Sequence, residues 1–273
     1  MKIITLVVSF ALLAFCAPTL SAQGLVVEKW KYDPETKILS LKLVNTSGKL
    51  ITGYGWSVIH TYADGSTDAL PDGHPSGRTE AEFLGGWIDS EMRKGTPTEG
   101  LFQDSGTIGF RPGEVKYDTQ PQLKDVVDVK AIIDFVTYAD CTGEGQNESA
   151  FRWFMSRRKD ELAGLEKVSE IVKQALADPN DTDPVGTARE EFVQLEHTLA
   201  RNGGRGDLSL PPQVNAQAML DAISTLDMFK NPVDNYGNRN GTPREALTKY
   251  LAQTEKHIAL LRPHTEITPT SEK

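Results

Sequence analysis

Along the first half of the chain, apolar and polar residues alternate. In KILSLKLVN, Leu39, Leu41 and Leu43 alternate with Ser40 and Lys42, the period of a strand buried on one face. LITGYGWSVIHTY sets Tyr54, Trp56, Val58 and Tyr62 on one face and Gly53, Gly55 and Ser57 on the other, a second strand joined to the first by the turn TSGK. VVDVKAIIDFV repeats the period, with Val127, Val129, Ala131, Ile133 and Phe135 expected inward and Asp128, Lys130 and Asp134 outward. DPET separates LVVEKWKY from Lys37, and RPGE separates TIGF from VKY. Short strands with turns and no intervening helix predict an antiparallel sandwich from Leu25 to about Tyr138, with Trp56 in its core. Gly53 and Gly55 leave the other face of their strand thin, which calls for a bend or close cover by an inserted loop.

After Asn147 the period becomes helical. Phe151, Phe154, Met155, Leu162, Leu165, Val168, Val172 and Leu176 fall on one stripe. A second helix is expected from Val185 to Ala200, ending at Gly203 and Gly204, and a third from about Pro212 to Phe229. The fourth starts at TPRE, a capping box with Thr242 as N-cap, Pro243 at N1 and Glu245 at N3, and buries Leu247, Tyr250, Leu251, Ile258 and Leu261. The tail over 263–273 has no period and is expected to be disordered. The predicted class is α+β: a sandwich over 23–147, then a mainly helical region of about four helices over 148–262. A long insertion at about 65–104 interrupts the sandwich. Within it, EFLGGWIDSEM puts Phe83, Leu84, Trp87, Ile88 and Met92 at near-helical spacing despite two adjacent glycines. It reads either as a short helix plugging one end of the sandwich or as a binding surface formed by Phe83, Trp87 and Ile88.

The start of the chain adds a location to this picture. Lys2, the apolar run from Ile3 to Phe15 and the small residues Ser21 and Ala22 predict a signal peptide over 1–22 with cleavage after Ala22, hence a secreted or periplasmic protein. The run is shorter than the roughly 20 residues of a membrane span. Phe15 stands where a lipoprotein signal wants a small residue, which disfavours lipid anchoring at Cys16. Cleavage would leave Cys141 as the sole cysteine, excluding an intrachain disulfide and zinc sites built on paired cysteines. The net charge is -9 and becomes one unit more negative without Lys2, so no nucleic-acid partner is expected. The run Arg157-Arg158-Lys159 reads as a solvated helix face.

TYAD occurs twice, from Thr61 and from Thr137, each time followed within a few residues by a hydroxyl side chain and an acid. Tyr62 is in phase with Trp56, whereas Tyr138 is out of phase with Ile133, so unless a bulge intervenes one tyrosine points in and the other out. The repeat therefore reads as strand ends with Asp64 and Asp140 bonding local backbone. A calcium site from Asp64, Asp68, Asp140 and Glu144 would require both turns at one end of the sandwich and lacks the dense acidic loop of calcium-binding hands. No cofactor is expected. The five histidines show no metal spacing, and His60 and His257 read as structural or solvated. No nucleophile elbow, phosphate loop or dinucleotide fingerprint occurs, and Asp140 and Glu144 would raise the pKa of Cys141. RGD at Arg205 to Asp207 is short enough to occur by chance, and N-x-S/T sequons at Asn45, Asn147, Asn180 and Asn240 matter only in a glycosylating pathway.

LKLVNTSGKLITGYGWSVIHTYADG, FRPGE and VDVKAIIDFVTYADCTGEG resemble secreted bacterial β-sandwich modules of the immunoglobulin-like or FxLYD-like kind, over about 25–146. The resemblance implies an immunoglobulin-like scaffold without catalytic residues, and it covers none of the helical region. Two functions follow as expectations: a non-catalytic cell-envelope binding or scaffold module with an envelope protein or glycan as partner, or an extracytoplasmic hydrolase acting on glycans through two dispersed acids facing across a cleft.

Overall fold

The computed structural model describes residues 24–68, 79–96, 108–121, 126–202, 214, 216–229 and 241–270. The leader, the RGD motif and Asn240 lie outside them. Among the described residues, seven strands form two antiparallel sheets. One has the order β1 (Leu25–Asp33), β2 (Ile38–Asn45), β5 (Val115–Pro121). The other has the order β4 (Thr79–Glu82), β3 (Ile51–Tyr62), β6 (Val126–Tyr138), β7 (Gly143–Gly145). Leu39, Leu41 and Leu43 from the first sheet and Tyr54, Trp56 and Val58 from the second share one buried core, as alternation required. The turns at TSGK and RPGE use Gly48 and Gly113 at positive φ. Asn45 is buried between them, its amide donating to the carbonyls of Lys49 and Phe110, which removes it as a glycan acceptor.

The phase of β6 departs from strict alternation. Trp56 pairs with Ile133 and Gly55 with Phe135, so Asp134 is the extra residue of a bulge. Beyond it the faces exchange: Phe135 turns away from the sandwich, while Val136 and Tyr138 turn in. A second bulge, between Thr61 and Tyr62 on β3, leaves Val127 exposed and puts Val126 in the core. Asp134 does face away from the sandwich core, but it is buried there. It accepts from the Ser57 hydroxyl and the Asn147 amide, and its carbonyl accepts from the N–H groups of Gln146 and Asn147.

Both tyrosines of the TYAD repeat therefore face inward, contrary to the phase argument. The turns themselves match bond for bond. Tyr62 donates to Ser66 and Gly65 donates back to Tyr62; Tyr138 donates to Thr142 and Cys141 donates back to Tyr138. Asp64 accepts from the backbone and hydroxyl of Ser66, and Asp140 does the same for Thr142. Gly65 and Cys141 occupy the same left-handed position, at φ 81 and 61. Because Ile51 pairs with Tyr138 and Tyr62 with Val126, the turns lie at opposite ends of the sheet, roughly 35 Å apart at the rise of a strand. Asp64 and Asp68 cannot share an ion with Asp140 and Glu144.

The insertion supplies β4 and a helix, α1 (Leu84–Arg93). Among the described residues, four further helices follow: α2 (Glu148–Ala177), α3 (Pro184–Asn202), α4 (Ala216–Phe229) and α5 (Pro243–Leu261), the last opened by the expected capping box. No helix among the described residues is long and apolar enough to cross a membrane. At 1.5 Å per residue, the 30 residues of α2 extend about 45 Å and join two cores. Its first turns place Phe151, Phe154 and Met155 against Phe135 on the outer face of the β3–β6 sheet. Its later turns place Val168, Ile171 and Val172 in a bundle with Phe192, Met219, Leu226 and Leu247. The cover over the thin glycine face is thus α2 and Phe135 rather than the inserted loop. A Cβ on Gly53 would lie 2.5 Å from the Phe154 ring, and one on Gly55 2.4 Å from Phe135.

Two expectations fail in the helical half. Arg158, read as solvated, is 2% exposed because Glu82 meets its guanidinium at 3.2 and 2.9 Å and Thr137 at 3.1 Å. The tail, read as disordered from residue 263, is packed as far as Thr270. A 3₁₀ turn, Arg262–Thr265, buries His264 and Thr265, Ile267 joins the Phe151 cluster, and Thr270 donates to the Gly143 carbonyl at 3.0 Å. Each of these residues meets a different element, so no period along the chain announces them.

Candidate functional site

The docked tail creates a concavity. Between α2, the residues after β7 and the C-terminal segment lies an open cleft of about 520 Å³, within the size range of ligand pockets. Phe151 and Met155, one helical turn apart on α2, form its floor together with Ile267. Lys159 and Arg152 stand on the helix rim, with Glu148 beside them and Glu266 on the tail. Arg152 is held by Glu148 at 2.6 Å in an exposed ion pair. Lys159 and Glu266 are both exposed. The helix end of the cleft is fixed by Asn147, whose side chain accepts the Ala150 N–H at 3.0 Å.

Next to the tail's docking point sits a seam of buried polar groups. The His264 ring lies edge-on to Trp87 with centroids 4.9 Å apart, and its Nε2 is 3.6 Å from Cys141 Sγ. Nδ1 is buried with no hydrogen-bond partner. Burial pushes the imidazole pKa down to about 4, the Arg158 charge acts in the same direction, and Asp140 opposes both. Burial raises the Cys141 thiol, and Asp140 adds to that against a pull from Arg158. A nucleophilic thiolate–imidazolium pair needs the opposite shifts; here both partners are held neutral.

The neutral imidazole carries a pH dependence. Between pH 6.5 and about 4 the unfolded chain takes up a proton that folded His264 refuses, so stability falls as the pH drops through that window. Above it the group contributes nothing; below it the loss reaches about 3 kcal/mol. Urea unfolding across the window is expected to show a steeper loss in wild type than in His264→Gln. Equal slopes would reject the neutral buried imidazole.

The residues singled out from sequence are dispersed. Ile88 is fully buried beside Leu84 and Leu261, Trp87 packs on His264, and Phe83 packs against Tyr54 with the Lys116 ammonium 4.0 Å from its ring. Phe83 thus packs on the sandwich core, whereas Trp87 and Ile88 pack against the helical half. Asp68 binds His60 and Tyr62 at one end of the sandwich, while Glu144 binds Tyr138 at the other. Among the described residues, no group of three or more His, Cys, Asp or Glu is placed to hold a metal. Sequence reasoning missed the cleft because its two walls lie over a hundred residues apart in the chain. The one available signal was Ile267, an apolar residue in a polar tail.

No family model matches the sequence, and no curated protein matches it. Among solved structures, a hypothetical protein from Peptoclostridium difficile 630 aligns with 48% of this chain and 90% of its own, at 13% identity and a TM-score of 0.25. A superposition this loose carries no statement about fold or function.

Proposed function

We propose that the chain is an exported, non-catalytic binding or scaffold module of the cell envelope, and that the cleft between α2 and the tail receives a segment of an envelope protein. The observation that carries this reading is the cleft's construction: a buried apolar floor under a rim bearing both signs of charge. An apolar anchor with polar positioning groups is the general form of a binding pocket. The mixed-sign rim suits a polypeptide, with side chains of either charge, better than a glycan. Support for the non-catalytic part comes from the neutral Cys141–His264 pair and from the tie between Glu148 and Arg152 at the surface. The leader features in residues 1–22 support export.

The test uses the exposed rim, whose substitution leaves the core intact. Immobilised wild type is expected to capture a protein from envelope extract, and Arg152→Glu with Lys159→Glu to reduce the capture about tenfold, equivalent to about 1.4 kcal/mol. Undiminished capture, capture of a glycan instead, or release of reducing ends from envelope glycan by wild type would each reject the reading.

A further inference from the structure

Both ends of the described chain converge on the three-residue strand β7. Thr270 bridges to it from the tail, and Gly24 reaches it from the other end, its N–H donating to Glu144 Oε2 at 3.0 Å. The other carboxylate oxygen, Oε1, accepts the Tyr138 hydroxyl at 3.1 Å, and Tyr138 is 1% exposed. The Gly24 carbonyl is held in turn by the Thr46 N–H at 2.8 Å. Residue 24 is therefore clamped on both sides, and the clamp admits only glycine. A Cβ there would lie 2.2 Å from Ser47 Cβ and 2.3 Å from Tyr138 Oη. The bond from Gly24 to Glu144 also ties the start of β1, in one sheet, to β7, in the other.

A part-buried carboxylate that keeps unused lone pairs, aimed at the Gly24 backbone nitrogen, suits an ammonium group better than an amide. We propose that Glu144 is the receptor for the chain's own α-ammonium group, generated when an endopeptidase removes the leader. The inference rests on the export reading. In the cut, water adds across the peptide bond between Ala22 and Gln23: hydroxide goes to the Ala22 carbonyl carbon, and the proton goes to the Gln23 nitrogen, which protonates again at neutral pH. The new charge then lies one residue, about 3.5 Å of chain, from an amide already bonded to Glu144. The described partners of that carboxylate, the Gly24 N–H and the Tyr138 hydroxyl, are uncharged. Leader removal thereby adds an ion pair at the junction of the two sheets. The other charged and titratable groups near this point are Tyr138, Lys49 above the Tyr138 ring at 5.1 Å, and Asp140, which holds Lys49 at 2.8 Å.

The exported protein is purified, its amino terminus is sequenced, and its α-amine is labelled by reductive ¹³C-methylation and titrated by NMR. A free amine on Gln23 is expected, with its pKa higher in wild type than in Glu144→Gln by about half a unit or more. Tyr138→Phe removes the hydroxyl but keeps the charge and is expected to stay near wild type. If Glu144→Gln fails to fold, wild type alone decides, because the upshift should shrink as salt screens a pair that water still reaches. Equal pKa values in wild type and Glu144→Gln, a salt-independent value, or an amino terminus blocked as pyroglutamate overturn the receptor while leaving export intact. Recovery of a chain that retains Met1 overturns both.

Discussion

Trp56→Ala is expected to destabilise the protein by about 3–5 kcal/mol, the cost of removing a large buried ring and leaving a cavity. Trp56 is fully buried, pairs with Ile133 on β6 and Thr79 on β4, and shares its core with the leucines of β2. Collapse into the space is resisted from both sides, since the facing sheet is fixed by its own ladder and the outer face of β3 is closed by α2. The indole N–H has no partner, so the substitution orphans no acceptor, and loss of that buried donor offsets part of the packing loss. Cys141, the one cysteine among the described residues, is free, so no disulfide there compensates. Against the 5–15 kcal/mol typical of a domain, the loss should be visible as a large drop in the urea midpoint. An unchanged midpoint would mean that the two sheets do not close over position 56.

The two faces of β2 and β3 were legible because each strand keeps a single phase over the residues that matter, Leu39 to Leu43 and Tyr54 to Val58. The end of β6 was not. A bulge costs one residue of register and leaves no mark on composition, so the inward side passed from Ile133 to Val136 and Tyr138 unannounced. The four long helices were legible from their stripes and from the Thr242 cap. Their docking on the sandwich was foreshadowed only by Gly53 and Gly55, which demanded a close neighbour without naming it. The cleft was illegible because its floor on α2 looked like ordinary core, and its far wall is a tail with a single apolar residue. The repeated TYAD was legible as turn chemistry, since Asp64 and Asp140 bond their own backbone in both copies.

Arg158→Ala is expected to cost about 2–4 kcal/mol, somewhat less than the removal of one partner from a fully buried pair, because the remaining Glu82 carboxylate is 38% exposed and keeps water. Arg158 joins α2 to β4 through Glu82, to β6 through Thr137 and to its own helix by lying 4.7 Å above the Phe154 ring. One of its nitrogens, Nη1, is buried without a partner, so the charge sits there at some expense. Arg158→Met keeps most of the packed stem and removes both the charge and the orphaned nitrogen. It leaves Glu82 unpaired as the Ala variant does, so it is expected to cost less than Arg158→Ala only by the packing that the retained stem preserves. A Met variant as damaged as the Ala variant would show that the ion pair, rather than the packed stem, stabilises the junction. Electrostatics supply a second readout. The Arg158 charge is one cause of the low His264 pKa, so in Arg158→Met the imidazole should titrate closer to 6.5, by NMR, and the acid-induced loss of stability should shrink with it. An unmoved His264 would leave burial as the one cause lowering its pKa and separate the Arg158 junction from the docking of the tail.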